Sequence, residues 1–142
     1  MQFKTNLLAL IPVLGSTLAE SWTIQKFTRN CTDPNICTYY FTINTGIFTQ
    51  HCTTVDFFTP AGNHSWYDHP CHEQIQNSNW RISWGWSASD DFTVMTVVEK
   101  GRQVEAFFGY NSPNAVNPIA AYPDVGPNNV QPTGAKPVAV TA

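Results

Sequence analysis

The feature that most constrains the fold of this chain is a set of four cysteines placed behind an apolar leader. Residues 1–19 carry one lysine, a short apolar run and a closing stretch of small residues, which is typical of a secretory signal peptide. A membrane anchor would need about 20 apolar residues, and Pro12 interrupts a run of about half that length. An even number of cysteines after such a leader predicts two disulfide bonds, formed in an oxidising compartment.

The sequence is compatible with more than one pairing of these cysteines. A bond between Cys31 and Cys37 would clip a short turn, and a bond between Cys52 and Cys71 would close a longer loop. A tight turn at residues 44–45 would instead place Cys37 opposite Cys52 in a hairpin. The residues alone leave these alternatives open.

The charge balance excludes some classes of partner. Removal of residues 1–19 leaves 123 residues with six basic and ten acidic side chains, a net charge of −4. A mildly acidic chain without a basic run binds nucleic acid poorly, so we expect no nucleic-acid partner. No second apolar run is long enough to span a bilayer, so we expect no membrane attachment once the leader is removed.

Short runs of β-branched and aromatic residues, separated by turn residues, extend from residue 21 to about residue 110. This pattern predicts an all-β fold, a small antiparallel β-barrel or sandwich stapled by two disulfides. The segment 80–86 alternates large apolar side chains with smaller or polar ones, as a half-buried strand does. The aromatic residues that we place in the core are Trp22, Phe27, Phe41, Trp84, Phe92 and Phe108.

The clearest predicted hairpin joins residues 92–98 to residues 103–110. Gly101 permits the positive φ that a two-residue turn needs, and Glu99 would then face Arg102 across the turn.

Composition changes after residue 110. Residues 111–142 hold six of the ten prolines and two charged side chains, and such a segment cannot build a core of its own. We therefore divide the chain into a signal peptide (1–19), a β domain (20–110) and an extended, Pro/Asn-rich C-terminal segment (111–142). We expect this last segment to be packed up to about residue 125 and flexible beyond it.

The densest polar cluster lies between His64 and Glu73. Its histidines and carboxylates are a weak metal signal, because Pro70 breaks the helix that would align them and Cys71 is expected to be oxidised. No pair of carboxylates is fixed across a cleft by its spacing, and no nucleophile elbow, phosphate loop or zinc-protease motif occurs. We expect no catalytic residue, no metal site and no cofactor.

The same region carries the candidate binding residues. Aromatic and histidine side chains on a loop can serve as rigid anchors for a partner. We take the segments 28–36 and 59–79 as the candidate contact surface, since both are anchored by cysteines. The candidate side chains are Trp66, Tyr67, His69 and His72.

Two N-glycosylation acceptor sequences occur in the predicted mature chain, at Asn30 and at Asn63. Both fall in segments that the pattern assigns to loops. Asn30 is the weaker candidate, because the middle residue of its acceptor sequence is Cys31.

Cysteine order, strand pattern and several short motifs resemble those of a known group of proteins. The resemblance runs from Cys31-Thr-Asp-Pro-Asn-Ile-Cys37 through Trp84-Gly-Trp-Ser87 to Ala121-Tyr-Pro-Asp124. The group is the small cysteine-containing proteins secreted by ascomycete fungi, including the elicitors called hypersensitive response-inducing proteins.

A looser similarity links Trp22 to Phe27 and Cys52 to Cys71 with the major allergen family of Alternaria, whose members have a β-barrel fold. This similarity favours a bond between Cys52 and Cys71, and with it the pairing of Cys31 with Cys37. The allergen family has further cysteines near its C-terminus, which this chain lacks.

The resemblance implies a secreted, extracellular fungal elicitor or effector, located in the plant apoplast when the fungus is plant-associated. It would trigger or modulate plant defence, including the hypersensitive response, through surface recognition and without catalysis. The expected partner is a plant receptor, a defence protein or a cell-wall glycan, and the chain is expected to be a monomer. The alternative function is a secreted glycan-binding or carbohydrate-processing protein, supported by Trp66, Tyr67, Trp80 and Trp86 and by surplus carboxylates.

Overall fold

The computed structural model describes residues 19–72, 74–114 and 118–134. These ranges form strands and turns without a helix, and no segment in them could cross a membrane as a helix. The signal peptide predicted for residues 1–19 lies almost wholly outside the described residues. The strands are β1 (Ser21–Asp33), β2 (Ile36–Asn44), β3 (Thr49–Phe57), β4 (Trp66–Pro70), β5 (Trp80–Ser87), β6 (Phe92–Glu99), β7 (Val104–Asn111), β8 (Ile119–Tyr122), β9 (Val125–Asn129) and β10 (Gln131–Pro132).

The strands form two five-stranded antiparallel sheets, so the all-β prediction is confirmed. The first sheet has the order β3-β2-β1-β8, with β9 also paired to β1, and the second has the order β10-β7-β6-β5-β4. The sheets are joined along both sides. On one side Thr53 N donates to Cys71 O at 2.8 Å, and on the other Asn128 Nδ2 donates to Phe107 O at 2.7 Å.

The core lies between the two sheets and is rich in aromatic rings. Strand alternation predicts its β5 members well, since Trp80, Ile82 and Trp84 are all buried. Phe92 is a correction: β6 turns Thr93 inward, which leaves Phe92 only half-buried at the start of the strand. The remaining predicted core aromatics are buried as expected: Trp22, Phe27, Phe41 and Phe108.

The hairpin of β6 and β7 is confirmed, but its turn is longer than predicted. Glu99 pairs with Val104, so four residues rather than two connect the strands. Gln103 instead of Gly101 adopts the positive φ, at 54°. The contact between Glu99 and Arg102 does form, with Arg102 Nη2 donating to Glu99 Oε1 at 2.6 Å.

Both disulfides favoured by the allergen resemblance are present, Cys31–Cys37 and Cys52–Cys71. The alternative bond between Cys37 and Cys52 required a tight turn at residues 44–45. The observed β2–β3 connection spans residues 45–48, because Asn44 pairs with Thr49. This register sets Cys37 opposite Asp56 and places Cys52 opposite Phe41.

Two segments are more ordered than the sequence indicates. The segment 28–36 is not a long loop, since β1 continues to Asp33 and only Pro34 and Asn35 form the turn to β2. The C-terminal segment was expected to pack up to about residue 125, whereas β9 and β10 continue the pairing to Pro132. Residues 135–142 lie outside the described residues.

Candidate functional site

Three connections meet at one end of the two sheets and form the candidate recognition surface. They are the β1–β2 turn at 33–36, the β3–β4 loop at 57–65 and the segment 111–114 that follows β7. The Cys31–Cys37 bond closes the first of them. We call these three segments the loop cluster.

Backbone hydrogen bonds fix the loop cluster internally. Phe58 N donates to Asn35 O at 3.0 Å, and Ala61 N donates to Pro34 O at 2.9 Å. Thr59 Oγ1 adds a side-chain bond to Asn35 Oδ1. The turn and the loop are therefore held together by several bonds, which makes them a preorganised surface rather than two independent segments.

The Arg29 side chain connects the loop cluster to the core. Its side chain is buried, with a residue exposure of 3%. Nη1 donates to Pro113 O at 3.1 Å and to Asn114 Oδ1 at 2.9 Å, while Nη2 donates to Gly62 O at 3.1 Å. The guanidinium lies 5.2 Å from the Trp84 ring centroid and 5.4 Å from that of Tyr39, which adds cation–π attraction.

Gly62 is required at its position for two reasons. Its φ is +92°, a conformation that residues with a Cβ rarely adopt. A Cβ there would lie 2.9 Å from Asn114 Oδ1 and 3.3 Å from Arg29 Nη2, so it would push apart the groups that join the three segments. Asn114 Nδ2 also donates to Gly62 O at 3.0 Å.

Gly62→Ala is therefore expected to lower the free energy of unfolding by about 1–3 kcal/mol, the usual cost of a strained backbone position with added crowding. Gly46→Ala is the matched control, because Gly46 has a similar φ of +89° but open space around its Cβ position. Urea denaturation of both variants would separate the two effects. Equal losses for the two variants would mean that backbone conformation alone matters at Gly62.

Exposed aromatic side chains form the outer face of the loop cluster. Phe57 is 68% exposed and Phe58 is 39% exposed. The His64 ring stacks on Phe58 with centroids 4.0 Å apart, and His64 Nδ1 lies 2.7 Å from Asp56 Oδ2. The Asp56 carboxylate is buried, so it holds the imidazole, and through it the Phe58 ring, in one orientation.

The four binding residues predicted from the sequence do not form one surface. Trp66 is 3% exposed and packs against Tyr39 and Trp84 in the core, so it presents no exposed anchor. Tyr67 is 67% exposed on β4, and the His69 ring stacks on Trp66 at 4.5 Å. His72 forms an isolated bridge with Thr53, midway along β3.

Sequence reasoning missed Phe57 and Phe58. Both stand at the end of a run of strand-forming residues, where alternation predicts that one of two adjacent aromatic residues is buried. The signal that could have found them is Pro60, which lies three residues after the end of β3 at Phe57 and so places both rings at the end of the sheet.

A family model described as Effector TSP1 matches residues 23–139, which is most of the chain. The chain belongs to the Effector TSP1 family. The match includes both disulfides and all ten strands except the first two residues of β1. No curated protein matches the chain.

Membership of the Effector TSP1 family supports the effector type that the elicitor resemblance implied. The match does not by itself identify the chain as a hypersensitive response-inducing protein or as a relative of the Alternaria allergens. The two disulfides and the effector family are together consistent with an extracellular protein.

The end of the two sheets opposite the loop cluster has a different chemistry. A groove of about 550 Å³ lies beside the β2–β3 connection, where Ile47 is 90% exposed and Phe48 is 52% exposed. Arg102 bridges Glu20 and Glu99 along this groove, and its hydrogen bonds hold the pKa of the Glu20 carboxyl below its usual value. The carboxylates of Glu20 and Glu99 are therefore already paired with the Arg102 side chain.

Two further properties of the described residues bear on the chemistry of the chain. Within residues 19–72, 74–114 and 118–134, no three His, Cys, Asp or Glu side chains lie close enough together to hold a metal ion. Burial raises the pKa values of three tyrosine hydroxyls, those of Tyr39, Tyr110 and Tyr122. These hydroxyls stay protonated at physiological pH and act as part of the core.

Proposed function

We propose that this chain is a secreted fungal effector that triggers or modulates plant defence through recognition of its folded surface, without catalysis. The family match over residues 23–139 is the observation that carries the proposal. The cysteine-rich mature region behind a leader-like N-terminus supports secretion into the extracellular space. The proposed partner is a plant receptor or defence protein, met outside the cell by a monomer of the effector.

The loop cluster is the surface that best suits this recognition. It combines two exposed aromatic side chains, Phe57 and Phe58, with a backbone already fixed by hydrogen bonds to the β1–β2 turn. Exposed aromatics on a preorganised surface give contact area at a low entropic cost on binding. The Cys31–Cys37 bond stabilises this geometry and would persist in the oxidising environment outside the cell.

Three carboxylates support a function without catalysis, because each of them is bonded to another side chain or to the backbone of the fold. Asp56 holds His64, and Asp68 pairs with Arg81 at 2.9 Å. Asp91 accepts hydrogen bonds from Trp86 Nε1 at 2.8 Å and from the Asn114 backbone. A catalytic carboxylate pair needs two groups free to face a substrate, and these groups are committed to the fold.

The proposal is tested by infiltrating purified mature protein, residues 20–142, into leaves and scoring defence responses. We expect the folded protein to induce a response and a reduced, alkylated sample to induce none. Phe57→Ser is expected to raise the concentration needed for a response by about tenfold or more, as the loss of an aromatic anchor does. Ile47→Ser is the matched control, because Ile47 is also apolar and is 90% exposed, but it lies beyond the other end of β2, a strand about 26 Å long.

Three results would contradict this proposal. A folded protein that gives no response would remove defence induction as the function. A reduced, alkylated sample as active as the native one would show recognition of a linear peptide rather than of the folded surface. Equal losses for Phe57→Ser and Ile47→Ser would place the contact outside the loop cluster.

A further inference from the structure

The two glycosylation acceptor sequences lie in very different surroundings. We propose that Asn63 carries an N-linked glycan while Asn30 does not, and that the innermost N-acetylglucosamine lies in the pocket beside Asn63. This inference rests on the secretion proposed above, because the transfer of N-linked glycans takes place in the secretory pathway.

Asn63 is exposed in the β3–β4 loop. Its backbone N donates to Pro60 O at 3.3 Å, which fixes the turn, and none of the described residues hydrogen-bonds its side-chain amide. The amide nitrogen, which is the atom that forms the bond to the sugar, is therefore available without the loss of any contact in this part of the chain. The hydroxyl of Ser65, the third residue of the acceptor sequence, bonds the Trp86 backbone and belongs to the fold.

A pocket of about 230 Å³ borders Asn63 and is comparable in size to one hexosamine ring. Its other lining residues include Ala61, Pro113, Asn114 and Pro118. The exposed lining is mostly polar, and the Asn114 amide offers a hydrogen-bonding group to the acetamido substituent of a sugar, while the proline and alanine side chains add a small apolar surface. The pocket is too small for most drug-sized ligands, which suits a single sugar held at one end by a covalent bond.

Asn30 is placed less favourably. It lies inside β1, paired with Thr38 on one side and with Ile119 on the other. Its Oδ1 accepts hydrogen bonds from Thr32 N at 3.0 Å and from Thr32 Oγ1 at 2.8 Å, so the orientation of its side chain along the strand is fixed by its own acceptor sequence. Cys31, the middle residue of this acceptor sequence, is bonded to Cys37 in the neighbouring strand β2.

The glycan at Asn63 would leave the aromatic face of the loop cluster open. Asn63 borders the pocket on the side of Pro113 and Pro118, whereas the next residue, His64, turns toward Asp56 and Phe58. A glycan on the pocket side would therefore shield the loop against proteolysis without covering the proposed recognition surface.

The test is secretion of the full chain, with its own leader, from a yeast that transfers N-linked glycans. A parallel arm carries residues 20–142 behind a heterologous secretion leader. The mass of the secreted protein is measured before and after complete removal of N-linked glycans with an amidase. We expect one glycan on the unaltered protein and on Asn30→Gln, and none on Asn63→Gln.

The two arms separate the possible failures. A secreted protein whose mass does not change on amidase treatment overturns the glycan while leaving secretion intact. Loss of the glycan in Asn30→Gln, with retention in Asn63→Gln, assigns it to the other site and also overturns the inference. A protein that reaches the medium only with the heterologous leader contradicts the proposed secretion, and the glycan is then judged on that arm.

The place of the first sugar is tested by thermal melting of the secreted protein. An endoglycosidase that leaves one N-acetylglucosamine on Asn63 is expected to leave the Tm unchanged, whereas complete removal by the amidase is expected to lower it by a few degrees. Equal Tm values for the trimmed and the fully deglycosylated protein would overturn the occupancy of the pocket.

Discussion

Removal of the Cys52–Cys71 disulfide, by Cys52→Ala with Cys71→Ala, is expected to lower the free energy of unfolding by about 3 kcal/mol. The bond closes a loop with a sequence separation of 19, and the entropy that such a crosslink removes from the unfolded chain is of that size. For a domain of this length, whose total stability is on the order of 5–15 kcal/mol, the loss is a large fraction. Alanine is the appropriate replacement, since both cysteines are buried and a serine hydroxyl would lack a partner.

The position of this bond in the fold strengthens the expectation. Cys52 lies in β3 of the first sheet, and Cys71 directly follows β4 of the second. The bond therefore connects the open edges of the two sheets, beside the hydrogen bond from Thr53 N to Cys71 O. Its loss frees β4, a five-residue edge strand that pairs only with β5 among the described strands.

The matched control is Cys31→Ala with Cys37→Ala. This bond has a sequence separation of 6, and it links two strands that already pair along β1 and β2, so its loss should cost about 2 kcal/mol. Guanidinium denaturation, followed by tryptophan fluorescence, gives both values. A larger loss for the Cys31–Cys37 variant than for the Cys52–Cys71 variant would contradict the assignment of the longer bond as the main staple.

The strands of this protein could be predicted because apolar and polar side chains alternate along them, with the two-residue period of a β-strand. In β5 the order Trp80, Arg81, Ile82, Ser83, Trp84 places each large apolar side chain on the same face, and the structure buries all three. Such patterns are local, so no knowledge of the neighbouring strands is needed. The all-β class and the β6–β7 hairpin follow from the same signal.

Turn lengths could not be predicted, because they depend on register rather than on composition. Both Gly101 and the Asn44-Thr45 pair favour two-residue turns by residue type, yet each connection has four residues. The longer turns bring the buried faces of the strands into register, and that gain exceeds the local preference of the turn residues. The length of the β2–β3 turn also bears on the disulfide pairing, since a two-residue turn would have set Cys37 opposite Cys52.

The sequence predicted the segments of the loop cluster but not the contacts that join them. Cysteine spacing and turn residues marked the segments near Cys31 and Asn63, but nothing local indicates that Arg29 reaches Gly62 and Asn114. These contacts join residues 33 and 85 positions apart in the chain. The sequence pattern assigned Arg29 to the segment 28–36, which was expected to be a loop. A pattern of neighbouring residues cannot tell that β1 continues through Arg29 and turns its guanidinium inward.

Arg29→Met is expected to lower the free energy of unfolding by about 2–3 kcal/mol and to loosen the loop cluster. The substitution removes the donors that serve Pro113 O, Asn114 Oδ1 and Gly62 O, and each buried acceptor that loses its partner costs about 1–3 kcal/mol. Part of that cost is offset, because Asn114 Nδ2 still donates to Gly62 O and methionine fills the space beside Trp84.

Arg102→Met is the matched control at the opposite end of the molecule. Its side chain is 52% exposed, and its ion pairs with Glu20 and Glu99 lie at the surface. Surface pairs of this kind contribute about 0–1 kcal/mol each, so the control should lose much less stability than Arg29→Met. Urea denaturation of the two variants under the same conditions makes this comparison.

Amide hydrogen exchange shows whether Arg29 acts on the loop cluster or only on the core. If Arg29 holds the three segments together, the amides of Phe58 and Ala61 should exchange at least tenfold faster in Arg29→Met, at a pH and temperature where the sheets stay protected. Unchanged exchange at these two amides, together with a loss of global stability, would mean that the bonds to Asn35 and Pro34 suffice to order the loop. The recognition surface would then depend on the β1–β2 turn, and Phe57→Ser and Arg29→Met would differ in their effect on plant responses.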